Sequence, residues 1–423
     1  MEGLIIIIFL IGYLLIALEH PVGINKTATA LVTGVLCWAL FAVNHGDIFF
    51  IRSELSHHLS QIASILFFLM GAMTIVELID AHEGFHFITK LIRTTDVRRL
   101  LWIICWVTFF LSAVLDNLTT AIVMVSLTRK LVVDQQKRLF FAGMIIIAAN
   151  AGGAWSPIGD VTTTMLWIGG QISSGVLVSQ LLAPSIVCLL VPLIYLSFTL
   201  SGKLEGNTLV SDKSEADLKG GQIMLLVGIG ALVFVPVFKT VTHLPPYMGM
   251  LLGLGVLWLV SEKINPQVDE EVRKKYSAAH ALSRIDVSSM LFFMGILLAV
   301  GALESMQVLH RLAEHLSTML GDNRIIITFI GVVSAVVDNV PLVAACMGMY
   351  SMDMYPMDHM IWEYLAYCAG TGGSLLVIGS AAGVAVMGME KMDFLWYLKK
   401  ISLLALIGYA GGATIFLLQD SLM

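Results

Sequence analysis

The chain has 423 residues, of which 58% are hydrophobic and only 13% charged, with a formal net charge of −6. Soluble domains carry about 25% charged residues, so this composition, with a mean hydropathy of +0.88, describes an integral membrane protein and excludes a sizeable soluble domain. The acidic balance and the lack of any basic block argue against a nucleic-acid partner, which leaves the lipid bilayer as the environment to satisfy.

In chain order, apolar runs predict spans at about 3–18, 27–44, 58–80, 138–167, 176–201, 221–238, 246–260, 286–304, 361–388 and 394–418. The first follows Glu2 rather than a basic residue and ends without a small-residue cleavage site, so it is read as a retained span and not as a signal peptide. Two further apolar runs, Leu100–Thr128 and Ile325–Tyr350, fit badly as single spans, because each carries Asp-Asn at mid-length between polar borders. Loop charge decides their shape, since cytoplasmic loops collect Lys and Arg. Arg98 and Arg99 precede the first run and Arg129 and Lys130 follow it, which puts both ends on the cytoplasmic side and makes the run a hairpin. The second is bordered by Asp322 and Arg324 and by Ser351–Asp358, a stretch without basic residues, so its ends read as external. With both hairpins in place, only Arg52, Lys239, Arg311 and Arg324 of the 24 basic residues fall outside, and Lys26 is among those inside.

The fold expected is an all-α polytopic membrane protein built as two inverted repeats of five transmembrane helices plus one re-entrant helical hairpin each. The first repeat covers 1–201, with its hairpin at about 100–128 and a broken helix at about 138–167. A cytoplasmic linker, 202–220, leads to the second repeat, 221–423, with its hairpin at about 325–350 and broken helix at about 361–388. Both termini are expected on the external side. Residue identities repeat with the pattern: Ser-Ala-Val-Leu-Asp-Asn at Ser112–Asn117 returns as Ser-Ala-Val-Val-Asp-Asn at Ser334–Asn339, and Leu66–Phe68 with Met70-Gly71 returns as Leu291–Phe293 with Met294-Gly295. An amphipathic arm, Ala81–Val97 or Ser305–Asp322, precedes each hairpin and is expected to lie in the membrane interface.

After each hairpin comes a glycine-broken span, Asn150–Asp160 and Gly370–Ser380, aligned through Gly152-Gly153 with Gly372-Gly373 and Gly159 with Gly379. Backbone freed from helical bonding at membrane depth is tolerated only where it is buried in protein or lines a cavity, and discontinuous helices of this kind put carbonyls and helix ends beside a substrate. An ionisable residue at such a place is expensive in hydrocarbon and reads as functional. The proposed centre holds Asp116, Asn117, Thr119 and Thr120 from one hairpin and Asp338 and Asn339 from the other, with Asn150, Ser156, Asp160, Thr162, Thr371, Ser374 and Ser380 from the broken spans. All are oxygen donors and none is Lys or Arg, a set that suits a small hard cation. Burial disfavours a charged carboxylate and a nearby cation restores it, so an Asp here holds either a proton or Na⁺. Competition of that kind produces exchange, with Asp116, Asn117, Asp338 and Asn339 as the expected Na⁺ ligands and Asp160 assisting.

The paired Ser-Ala-Val-x-Asp-Asn motifs, the Asn150–Asp160 segment and its Gly370–Ser380 partner resemble the NhaD-type sodium/proton antiporters of the ion transporter superfamily, over nearly the whole chain. The resemblance implies a bacterial inner-membrane antiporter exporting Na⁺ or Li⁺ for H⁺. It also implies no cofactor, scaffold and transport regions, an elevator-like movement and a homodimer. In the superfamily's dicarboxylate carriers the hairpin tip resembles Ser-Asn-Thr, whereas here it reads Asp116-Asn117-Leu118-Thr119, and the second copy has Pro341 in place of the threonine. An arsenite or di/tricarboxylate carrier of the same superfamily is the alternative, and an intramembrane diaspartyl protease built on Asp116 and Asp338 a remote one. Glu77, Asp80 and Glu304, late in their spans, read as a proton path or as interfacial ion pairs, and His82, His86 and His310 as pH sensors or exposed interfacial groups. The five cysteines show no ligand spacing and read as buried structural thiols, and the 23 methionines read as packing.

Overall fold

A computed structural model describes residues 2–85, 94, 96–200, 202, 215–264 and 276–422. His86, most of the first arm and residues 203–214 of the 202–220 linker lie outside the described residues. The described chain is helical: α1 Glu2–Ala17, α2 Lys26–His45, α3 Ile48–Ala81, α4 Val97–Ser112, α5 Asn117–Leu131, α6 Gln135–Ala154, α7 Val161–Ile168 and α8 Ser174–Thr199. It continues as α9 Glu215–Thr242, α10 Pro246–Ile264, α11 Ala278–Arg284, α12 Val287–Ser305, α13 Val308–Leu320, α14 Asn323–Val333 and α15 Asn339–Met349. The last four are α16 Met360–Gly372, α17 Ala381–Glu390, α18 Phe394–Lys400 and α19 Ser402–Leu422. Among the described residues seven helices are long and apolar enough to cross a bilayer, namely α2, α3, α8, the part of α9 from Gly220, α10, α12 and α19. The chain is a multi-pass membrane protein.

Polar residues at the helix borders explain where the helices start. A helix leaves its first N–H groups without internal partners, and a side-chain oxygen at the preceding position answers one or two of them. Asn25, Asp47, Asp96, Asp134, Ser173, Asp286, Asp322 and Asp393 each accept such a bond from the helix they precede. Asp47 starts α3 ten residues before the expected span at 58, because Arg52, Glu54, His57 and His58 extend the helix at a polar end that hydropathy alone cuts off. The expected span at 394–418 divides into α18 and α19 at Ile401. Both expected hairpins are helix pairs around short breaks, α4–α5 around Ala113–Asp116 and α14–α15 around Ser334–Asp338, and both glycine-rich spans break, between α6 and α7 and between α16 and α17. The second arm is α13, and it meets α14 at 114°.

The helices pack as two bundles. In one, α1 lies on α2, α2 on α12, α9 on α10 and α10 on α3, with α3 and α12 in contact. In the other, α4 packs on α6 and α14 on α16, α5 on α17 and α15 on α7, and α8 runs along α19, with α6 against α16 at the centre. The aligned glycines permit this packing. A Cβ at Gly152 would overlap the carbonyl oxygen of Phe109 on α4, and one at Gly372 would overlap that of Gly331 on α14. Across the two bundles, α12 packs on α15 and α3 touches α7.

Candidate functional site

Four helices start at the breaks, and each N-terminus is capped by the chain itself. Asp116 caps α5: Oδ1 accepts the Thr119 N–H at 2.8 Å and Oδ2 accepts the Thr119 hydroxyl at 2.5 Å. Asp160 caps α7, with Oδ1 accepting the Thr162 N–H at 3.2 Å. Asp338 caps α15, with Oδ1 accepting the Val340 N–H at 3.2 Å. Ser380 caps α17, its Oγ accepting the Gly383 N–H at 3.1 Å.

A buried amide and hydroxyl network ties three of these ends together. Asn117 Nδ2 donates to Asp160 Oδ2 at 3.0 Å and to Asn150 Oδ1 at 3.1 Å, and Asn150 Nδ2 donates to Ser380 Oγ at 3.1 Å. All four residues are buried. A buried polar group that loses its partner costs about 1–3 kcal/mol, so the four positions are held in one arrangement. Asp116 and Asp338 both lie near enough for their charges to act on Asp160. Among the described residues no three His, Cys, Asp or Glu side chains converge as a metal chelate; the oxygens here come from amides, hydroxyls and carboxylates on separate helix ends. Two of the buried hydroxyls, Thr120 Oγ1 and Thr162 Oγ1, have no protein partner.

Not every expected donor joins. Ser156 Oγ accepts from its own Ile158 N–H, Thr371 donates to the Tyr367 carbonyl and Ser374 to the Thr371 carbonyl, all within their own segments. Asn339 is buried but stands outside the network that its counterpart Asn117 anchors. The asymmetry follows from the sequence, because Asn150 and Asp160 align with Gly370 and Ser380, which offer Asn339 neither an amide nor a carboxylate.

A cavity of about 920 Å³ opens beside the first hairpin and reaches Leu118 and Thr119. Glu77, Asp80, Arg284, Asp286 and Lys130 are among the residues lining it. Arg284 Nε lies 3.3 Å from Glu77 Oε2, and its Nη2 is 3.8 Å from Asp80 Oδ2. These acids, expected either in a proton path or in ion pairs, therefore share one guanidinium in its lining. His82 departs from the expectation of exposed arm histidines. It is buried, its Nδ1 bonds the Leu78 carbonyl at 2.8 Å and its ring lies beside Tyr276. His310 is partly exposed and sits 3.6 Å from Glu314 one turn on. Glu304 lies against Gly348 of α15.

The family model described as a citrate transporter matches residues 13–372. Sodium/proton antiporter 1 of Arabidopsis thaliana is 49% identical across 98% of this chain and 72% of its own length, and sodium/proton antiporter 2 of the same plant is 46% identical across 97% and 98%. The Na⁺/H⁺ antiporter NhaD of Vibrio cholerae serotype O1 is 31% identical across 98% of this chain and 91% of its own length. The chain belongs to the NhaD-type sodium/proton antiporter family. It is a transporter and not an enzyme.

Two features of this NhaD-type chain escaped the sequence reading. The site was expected to hold no Lys or Arg, with Lys26 on a cytoplasmic loop. Instead Lys26 is the first residue of α2, and its Nζ lies 3.4 Å from Asp338 Oδ2 and 4.6 Å from the centre of the Phe292 ring. Nothing in the sequence around Lys26 pairs it with a residue so far along the chain. The second is Glu390, whose side chain is fully buried at the end of α17 between Arg129 at 2.6 Å and Arg138 at 2.7 Å. This carboxylate ties α17 to the end of α5 and the start of α6. A glutamate on the hydrophobic face of a broken span, opposite two arginines expected at one membrane border, was the signal that could have found it.

Proposed function

We propose that the chain exchanges Na⁺ or Li⁺ for H⁺ across the membrane, with Asp116 and Asp338 holding cation or proton in turn and Asp160 assisting. The observation that carries this reading is that three of the four helix N-termini at the breaks are capped by the chain's own carboxylates. A helix N-terminus is an anion site. In a citrate or dicarboxylate carrier those ends would serve the substrate; here aspartates fill them, each with a second carboxylate oxygen for a cation to take over from its present partner. A tricarboxylate brought there would meet three like charges, whereas a hard cation meets the oxygen ligands it prefers. Asn117, Thr119, Thr120, Asn150, Thr162 and Ser380 complete the set within this reading, the unpartnered hydroxyls of Thr120 and Thr162 being the spare donors. Ser156, Thr371 and Ser374 act from the periphery through backbone they hold in place, and Asn339 completes the second motif beside Asp338.

Residues 1–201 and 221–423 form two inverted repeats, each with a hairpin entering the membrane and leaving on the same side. Support comes from the exchanged packing of α2 on α12 and α10 on α3, of α4 on α6 and α14 on α16, and of α5 on α17 and α15 on α7. The bundle holding α2, α3, α10 and α12 acts as scaffold, and the bundle holding the breaks moves against it as an elevator in a homodimer, as the resemblance implies. The cavity beside Thr119 opens on the side bearing Lys130 and Arg284, which the loop charges assign to the cytoplasm. Both termini then lie outside. The same topology serves a bacterial inner membrane or a plant membrane, since relatives come from both kinds of organism.

Na⁺-driven collapse of a pH gradient in everted vesicles tests the assignment. Asp116→Asn removes the exchangeable charge while keeping size and a cap for α5, so exchange is expected to disappear with the protein still in the membrane. Exchange at the parent rate would refute the role of Asp116.

A further inference from the structure

The two Asp-Asn motifs differ in how the second carboxylate oxygen is satisfied. In each, Oδ1 caps the following helix, through Thr119 N–H or Val340 N–H. Asp116 Oδ2 takes the hydroxyl of Thr119. Asp338 has Pro341 where that threonine would stand, and its Oδ2 faces the Lys26 ammonium at 3.4 Å. Lys26 is held from the other bundle: α2 packs along α12, Thr27 Oγ1 bonds the Ser288 carbonyl at 3.1 Å, and the ammonium rests over the Phe292 ring of α12. An ammonium over an aromatic face and beside a carboxylate is favoured by both.

We propose that Lys26 is a resident counter-cation at Asp338, which an incoming Na⁺ must displace. This rests on the exchange reading above and deepens it. An ammonium and a bare Na⁺ carry the same charge and seek the same oxygen, so they compete for Asp338 by position. Two consequences follow. Na⁺ binding at the second motif is weakened by the strength of the pair, and until an ion arrives the second hairpin is tethered to α2 and α12. The two motifs are then unequal by construction, with Asp116 supported from within its own hairpin and Asp338 supported across the bundle boundary.

Na⁺-dependent exchange in everted vesicles, measured as the Na⁺ concentration giving half-maximal response, reads this directly. Lys26 and Asp338 are partly exposed, with side-chain exposures of 29% and 17%, and pairs of that kind are worth little in water. Lys26→Gln is therefore expected to lower half-saturation by roughly three- to fivefold, and Lys26→Arg, which keeps a cation over Phe292, is expected to restore the parent value. Phe292→Leu keeps both charges and removes only the ring, so a smaller fall in the same direction is expected. Half-saturation unchanged or raised in Lys26→Gln would overturn the proposal. Should Lys26→Gln fail to reach the membrane, an unchanged value in Phe292→Leu overturns it. Absence of Na⁺-dependent exchange in the parent protein would instead count against the exchange reading itself.

Discussion

Replacing Glu390 by Gln offers a demanding test of how the second bundle is held together. The Glu390 side chain is fully buried, and its two oxygens meet Arg129 Nε at 2.6 Å and Arg138 Nε at 2.7 Å. Gln keeps the shape and one acceptor but removes the negative charge that two guanidinium groups share. Removing one partner of a buried ion pair costs about 3–5 kcal/mol, because the remaining charge is left uncompensated. Arg129 is 43% exposed and can turn to water, whereas Arg138 is 19% exposed and cannot do so fully. The expected loss is therefore near the low end, about 3 kcal/mol, which lowers the folded-to-unfolded ratio by roughly a hundredfold. Thermal unfolding of the purified protein in detergent, followed by tryptophan fluorescence, should show a clearly lower midpoint for Glu390→Gln. The control is Glu314→Gln, on the exposed pair with His310, which is expected to melt with the parent. Equal melting of Glu390→Gln and the parent would refute the clasp.

Gly152→Ala sets a Cβ against the Phe109 carbonyl and is expected to cost about 1–3 kcal/mol by overpacking, read as a lower melting midpoint; Gly230→Ala, where the added carbon meets nothing within 4 Å, should melt with the parent. Burial pulls His82 below the usual imidazole range, with its bond to the Leu78 carbonyl opposing the shift. The unfolded chain thus takes up this proton more readily than the folded one, so stability present above about pH 6.5 falls as the pH drops below it. His82→Gln should flatten that acid-side loss in melting midpoint, and parallel pH curves for the two proteins would contradict this.

Much of the architecture was legible because the membrane enforces it. Polar border residues mark helix starts, and the repeated Asp-Asn and Gly-Gly pairs mark interruptions, so breaks fall where the sequence puts them, between α4 and α5, α14 and α15, α6 and α7, and α16 and α17. Asn117, Asn150, Asp160 and Ser380 stand out by motif position and meet in one network. What escaped depends on distance through space. Lys26 and Asp338 are separated by 312 residues, and Glu390 by more than 250 from each of its arginines. No local pattern encodes such pairings. Ser156, Thr371 and Ser374 show the converse: a hydroxyl in the right segment is claimed by the nearest freed backbone group before it can reach the centre.

The most direct measurement places purified protein in proteoliposomes under an imposed pH gradient and adds Na⁺, Li⁺, K⁺, citrate, succinate or arsenite in turn. Aspartates capping three of the four helix ends at the breaks predict that Na⁺ or Li⁺ collapses the gradient and that the anions leave it intact. Collapse by citrate, succinate or arsenite, with Na⁺ and Li⁺ inert, would contradict the account.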